Sequence, residues 1–222
     1  MAKNFVSNKD VTVRMFKSDI MEVFSRVHPS VPLIVYVPVI LYFLYRSAIV
    51  FEITAKNIVL FILVGVFVWT FTEYVLHRFV FHFNAKSQLG LKIHFIFHGV
   101  HHDYPNDSMR LVMPPSVSVP LALLFYFFFN AIIGHVYVAP FFVGFLTGYL
   151  FYDMTHYAVH HFNIHNRVWL ALKKHHMRHH FQDAEKGFGV SSPLWDSIIG
   201  TNFPKSKNDK ESNFESSSIS QS

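Results

Sequence analysis

At 222 residues the chain is the size of one domain, and 51% of it is apolar, with 26 phenylalanines; such a composition points to a bilayer rather than to a water-soluble core. It has no cysteine, which excludes a disulfide framework and any thiolate metal site, so that a metal would rest on histidine with help from Asp or Glu. The net charge of +5 does not indicate nucleic acid, because the basic residues flank apolar segments instead of alternating with exposed aromatics.

Residues 1–30 mix both signs of charge with apolar residues, as in MFKSDIMEVFSRVH, and are expected to form an amphipathic entry helix at the membrane surface, the alternative being an ordinary solvated tail. They lack the layout of a signal peptide. VPLIVYVPVILYFLYRSAIV, from Val31 to Val50, is an apolar run of 20 residues, enough to cross the hydrocarbon layer. Its one charge, Arg46, lies near the far end and can snorkel. FEITAKN makes a tight connection to a second span, Ile58 to about Leu76, with Glu73 in its final part. Residues 83–114 are polar and carry a turn at YPND. Two more apolar runs follow, Ser116 to about Gly134 and Val136 to about Asp153. Joined at Gly134-His135, they are expected to form a helical hairpin; the alternative is two short helices dipping part-way into the bilayer. The last two groups of histidines then fall on two helices split near Asn163–Asn166. GFGVSSPLWDSIIGT is expected to pack against a metal site, and residues 205–222, rich in Ser, Lys, Asn and Glu, to be disordered.

The histidines come in four bursts: His77 and His82; His94, His98, His101 and His102; His156, His160 and His161; and His175, His176, His179 and His180. Offsets of three and four place side chains on one helix face. His77 and His82, five apart, diverge by roughly 140° on an ideal α-helix, so that pair requires a helix that is ending or distorted. Single histidines such as His28, His135 and His165 are expected to be plain surface residues. Five basic residues precede the first span, four lie between His77 and Pro114, and eight follow His161. The positive-inside rule then places both termini and all four bursts on the cytoplasmic side, under four membrane helices.

Eight or more histidine ligands can hold two metal ions, whereas a structural zinc normally closes its shell at four. Two metals just below an apolar bundle suit an oxygen-activating di-iron centre acting on a lipid tail. Hydrolysis by zinc-bound water predicts a mixed histidine and carboxylate shell, which fits less well. A non-enzymatic zinc-binding or transport role predicts an ionisable relay through the spans, where only Glu73 is available. Glu73 lies four residues before His77 and Asp153 three before His156, so each falls near a histidine face and is a candidate to support the metal shell or the lipid's polar end. Asp107, Tyr149 and Tyr152 are further candidates of the same kind.

HRFVFH, HGVHHDYPND, RLVMPP, YDMTHYAVHH, KKHHMRHHF and GFGVSSPLWD together resemble the integral-membrane fatty acid hydroxylase superfamily, most closely its fatty acid 2-hydroxylase branch. Histidine boxes alone also match sterol oxidases, carotenoid hydroxylases and acyl desaturases; RLVMPP, YDMTHY and the GFG…LWD ending narrow the resemblance. It implies an all-α integral membrane protein with four membrane helices under a cytosolic helical cap, divided as an interfacial segment over 1–30, a hydroxylase membrane domain over 31–204, and a tail. It implies two iron ions, replaceable by zinc in isolated protein, on His77, His82, His98, His101, His102, His156, His160, His176, His179 and His180. The implied reaction is hydroxylation of an acyl chain at C2, on a fatty acid or a ceramide. Many eukaryotic members carry a cytochrome b5 domain, for which this chain has no room, so electrons are expected from a separate cytochrome b5-like protein, ferredoxin or reductase.

Overall fold

A computed structural model of the chain describes residues 5–204; the tail over 205–222 lies outside the described residues. All regular structure among them is helical. α1 is Asp19–Phe24. α2, Val31–Tyr45, opens with Pro32 in its first turn, where the missing N–H has no partner to lose, and runs into a π-helical turn, Arg46–Val50. α3 spans Ala55–Val75 and is capped by Thr54, whose hydroxyl accepts from Asn57 N; it also ends in a π-helical turn, Leu76–Phe81. α4, Gln88–His94, passes through a third π-helical turn, Phe95–Gly99, into α5, Val100–Asp103. α6 is Pro115–His161, α7 Arg167–Phe181 and α8 Leu194–Ile199.

Three of these helical stretches are long and apolar enough to cross a membrane: Val31–Val50, Ala55–Phe81 and Pro115–His161. The last has 47 residues and would reach about 70 Å if straight. It is not straight. Gly134 has φ 80° and ψ 161°, a conformation that a Cβ would oppose, and the chain reverses there. Phe129 lies 4.6 Å from Phe141 and Phe125 5.1 Å from Phe145, ring centre to ring centre. The hairpin expected from the sequence is therefore present, its two arms meeting at Gly134. Its second arm also continues past Asp153 to His161, so the third histidine burst extends a membrane-type helix and does not begin a separate one. The split at Asn163–Asn166 is observed, with the Asn166 side chain capping α7 by accepting from Val168 N.

The arms pack on α2 and α3 around Tyr36, Trp69, Phe142, Phe145 and Tyr149. α3 and α6 touch backbone to backbone: a Cβ on Gly144 would lie 2.0 Å from the Ile62 carbonyl oxygen. Small residues permit that approach where lipid supplies no hydrophobic drive between helices. The outward faces keep Leu60, Leu63, Phe67, Leu124 and Phe127 more than half exposed, as helices that meet lipid require.

Among the described residues of the stretch expected to form an entry helix, 5–30, only Asp19–Phe24 is helical. The chain before it runs without helix over the loop that follows α5, with Val6 N and Ser7 N donating to Asp103 O. Glu22 gives the physical reason. Its carboxylate is buried and accepts from Met15 N and Phe16 N, turning the backbone just before α1 towards it. Those two N–H groups are satisfied by a side chain instead of by a preceding helical turn.

Candidate metal centre

The pair His77 and His82 is aligned by the π-helical turn between them. His82 N donates to His77 O at 3.1 Å, and this i→i+5 bond widens the turn by one residue. Side chains five apart then project together, and the two rings lie 5.1 Å apart. The distortion required by the sequence spacing is thus a one-residue expansion of the helix. A second such turn, Phe95–Gly99, carries His98.

Ten histidines meet as two groups of five: His77, His82, His98, His102 and His179 form one, and His101, His156, His160, His176 and His180 the other, the ligand atoms of each within 4.8 Å of one another. These are the ten that the family resemblance implied. The grouping follows helical geometry. Residues at i and i+4 share a group (His98 with His102, His156 with His160, His176 with His180), whereas the i+3 residues His101 and His179 go to the other. At 100° per residue, positions i+3 and i+4 are about 100° apart on the wheel, so one helix feeds two neighbouring sites. The groups abut, with the His102 and His180 rings 4.3 Å apart.

In the first group His77 Nε2 lies 3.1 Å from His98 Nε2, and His82 Nε2 lies 3.2 and 3.0 Å from those of His102 and His179. In the second, the Nε2 pairs His101–His156, His160–His176 and His176–His180 are 2.9, 3.1 and 3.1 Å apart. Ligands at right angles on a metal with bonds of about 2.1 Å sit about 3.0 Å apart, whereas tetrahedral ligands sit about 3.4 Å apart. The donor sets therefore fit a metal of high coordination number in each group. His77 Nδ1 donates to Phe188 O at 2.5 Å and His179 Nδ1 to Lys186 O at 2.8 Å, which leaves the Nε2 lone pairs free to face a cation. Burial, followed by crowding from neighbouring imidazoles, pushes His98, His101, His102, His176 and His180 well below the ordinary histidine range and His82 to about 2. Burial takes His179 to about 4 despite the opposing bond to Lys186. At neutral pH these imidazoles are unprotonated, the form that binds metal.

The carbonyls that orient His77 and His179 belong to the GFG segment and the lysine just before it, and the segment packs against the site as expected. Glu73, buried, accepts from Val190 N and Ser191 N at 2.7 and 2.8 Å and also from Ser191 Oγ. It reaches no histidine: it holds the loop that holds His77. Asp196 did not stand out in the sequence, yet it is the hub of that loop. Its carboxylate is fully buried and accepts from Phe188 N, Gly189 N, Thr201 Oγ1 and His175 Nε2 at 3.0, 2.8, 2.7 and 3.1 Å. Burial alone would raise it, but these donors keep it below the usual carboxylate range. The signal that could have found it was its place in the GFGVSSPLWD stretch.

Asp153 also bonds to no histidine. It is buried, accepting from Met113 N at 3.2 Å and from the Tyr149 hydroxyl at 3.1 Å. Asp107 lies with the N-terminal arm and not with the metal shell: it accepts from Thr12 Oγ1 at 2.7 Å and Met109 N at 3.1 Å. Beside the histidines is a largely apolar cavity of about 400 Å³. His98 from one group and His101 and His156 from the other line it, together with Tyr152, Asp153, Phe81, Val100 and Leu111. Tyr149 lies behind that wall, its hydroxyl reaching Asp153.

The fatty acid hydroxylase family model matches residues 62–201, a stretch that holds all ten clustered histidines and Asp196. A dihydroceramide fatty acyl 2-hydroxylase of Arabidopsis thaliana is 41% identical over 189 residues, covering 85% of this chain and 79% of the relative. The fatty acid 2-hydroxylase of Mus musculus is 38% identical over 224 residues, covering 89% of this chain but 59% of the relative. The solved structure of full-length scs7p, in which only the hydroxylase domain is visible, superposes with a TM-score of 0.78 at 36% identity, covering 84% of this chain and 70% of that one. With its histidines paired into two five-membered groups beneath an apolar bundle, the chain belongs to the fatty acid hydroxylase family.

Proposed function

We propose that this chain is a membrane-embedded lipid hydroxylase that holds one iron in each five-histidine group and hydroxylates C2 of a fatty acyl chain, free or as the N-acyl chain of a ceramide. Bound iron supplies dioxygen activation, with electrons delivered by a redox protein. The residues named supply the rest. The ten imidazoles hold the metals, the loop over Lys186–Ser191 fixes two of them, and the apolar cavity excludes water and presents a chain carbon to the histidine side. Asp153, with Tyr149 behind it, is a polar group in the cavity wall whose carboxylate can accept from a lipid's amide N–H or hydroxyl.

The observation that carries this reading is the cavity: one largely apolar space touches both histidine groups. The names of the relatives, a dihydroceramide fatty acyl 2-hydroxylase and a fatty acid 2-hydroxylase, support the choice of C2. In the membrane arrangement that goes with it, α2, α3 and the two arms of α6 make four crossings, with the histidines on the cytoplasmic face where the basic residues concentrate. The test is expression in a host lacking 2-hydroxylated lipids, followed by lipid mass spectrometry. New 2-hydroxyacyl lipids are expected from the wild-type chain and none from His98→Ala or His179→Ala. Products hydroxylated elsewhere, or unchanged lipids with fully metallated protein, would overturn it.

A further inference from the structure

The N-terminal arm lies outside the stretch matched by the family model, yet it builds part of the cavity. Met15, Phe16, Ile20, Met21 and Phe24 line that cavity alongside the histidines. Ile20, Met21 and Phe24 are also 70%, 53% and 62% exposed, so these residues form a rim, with one side on the cavity and the other on the outside. Ser116, exposed in the first turn of α6, is across from them and donates to Phe24 O at 3.4 Å. α6 is apolar from this point on, so the mouth opens where a membrane helix begins.

The rim is pinned in place. Glu22 pairs with Arg110 at 2.7 Å and Arg26 at 2.5 Å, Arg110 also donates to Val13 O, and Thr12 bonds Asp107. Three large apolar side chains held open around a cavity mouth are unfavourable against water and mark a site for an apolar ligand. We propose that this rim, built by α1 and the start of α6, is the entrance through which the acyl chain of a lipid leaves the bilayer and reaches the histidine groups. This rests on the functional reading above, and it gives the arm a role in substrate entry, with Met21 and Ser116 flanking the path of the chain. Val23 serves as the internal control, being on the same helix and 69% exposed but not lining the cavity.

The chain has no cysteine, so Met21→Cys, Ser116→Cys and Val23→Cys each offer a single handle. Each variant is treated in native membranes with a bulky polyethylene-glycol maleimide or with a reagent that adds only a thiomethyl group. Hydroxylated lipid is then measured relative to the same variant untreated, and metal content is checked after labelling. The bulky adduct is expected to remove most of the product at Met21 and Ser116, the small one to remove little, and neither to matter at Val23. Equal losses at all three positions, or full activity with the bulky adduct at Met21 and Ser116, would overturn the proposal. Should the wild-type chain make no hydroxylated lipid, the functional reading fails by itself. The entrance is then read in detergent by quenching of a fluorophore at Met21→Cys with a brominated fatty acid. Stronger quenching there than at Val23→Cys supports it, and equal quenching refutes it.

Discussion

Replacing Asp196 by Asn should cost the protein one metal and spare the other. The carboxylate takes four donors, two on each oxygen: Phe188 N and Thr201 Oγ1 on Oδ1, Gly189 N and His175 Nε2 on Oδ2. Asparagine keeps the shape but turns an NH₂ towards one of these pairs. Thr201 and His175 can reverse their roles and accept; the backbone N–H of Phe188 or Gly189 cannot. One orphaned buried N–H, with the charge assistance lost from the remaining bonds, amounts to roughly 2–4 kcal/mol. The strain falls on the loop whose Phe188 and Lys186 carbonyls accept from His77 and His179. Losing such partners lowers metal affinity by about 10–100-fold, equivalent to about 1.4–2.8 kcal/mol, so the loop penalty is sufficient. The Phe188 ring also lies 5.8, 5.7 and 5.7 Å from His77, His82 and His179, all three in the same group. Purified protein dialysed against graded chelator and assayed for metal should show wild type holding two ions per chain at concentrations where Asp196→Asn holds one. Loss of both ions in step, or of neither, would refute this division of support.

Gly144→Ala should be severely destabilising in thermal unfolding in detergent, beyond the ~1–3 kcal/mol usual for overpacking, because its Cβ would meet the Ile62 backbone at 2.0 Å; Gly134→Ala, with open space around it, should lose only the ~1–3 kcal/mol of a side chain forced into an essentially glycine-only backbone conformation. Asp153→Asn should keep wild-type metal content, since no histidine bonds to Asp153, while product formation falls about tenfold, the equivalent of weakening one charge-assisted bond; parallel loss of metal would contradict that. The Glu22 carboxyl would be raised by its burial, but the N–H groups of Phe16 and Met15 and the guanidinium groups of Arg26 and Arg110 hold it at about 2 against an ordinary 4.5. A depressed carboxylate stabilises the docked arm above its unfolded pKa and stops doing so as pH falls through the folded one. A fluorophore at Val11→Cys should therefore report arm release setting in as pH drops from 4.5 towards 2, a transition that Glu22→Gln should lack.

The parts of this protein legible in its sequence are those coded by local spacing. Offsets of three and four between histidines need only the helical repeat to be interpreted, and the gap of five between His77 and His82 already implied a distorted helix. Apolar runs and the glycine at 134 gave the hairpin for the same reason. What stayed hidden depends on contacts between residues distant along the chain. Glu22 meets Arg110 and Glu73 meets Ser191 across separations of 88 and 118 residues, and no local pattern marks such partners. The amphipathic reading of residues 1–30 went wrong there: Glu22 looks like a solvated charge in a helical repeat until Arg110 is brought against it. Proximity in sequence likewise did not name the partners of Glu73 and Asp153, which sit one helical turn before a ligand and spend their hydrogen bonds on backbone groups, a serine hydroxyl and a tyrosine.

The π-helical turn at Leu76–Phe81 has a consequence for how this protein tolerates change. Its histidine alignment depends on the number of residues between His77 and His82, not on what those residues are. Inserting one residue into Arg78–Phe81 would leave every ligand in the sequence, and a composition-based comparison would score the protein as intact. His82 would nevertheless be carried one position further round the helix and turned by about 100° away from its present direction. Side-chain identity is correspondingly open to substitution at exposed Phe79 and Val80, though not at Phe81, which stacks on His98, while added length is not tolerated, so insertions here belong among the inactivating changes.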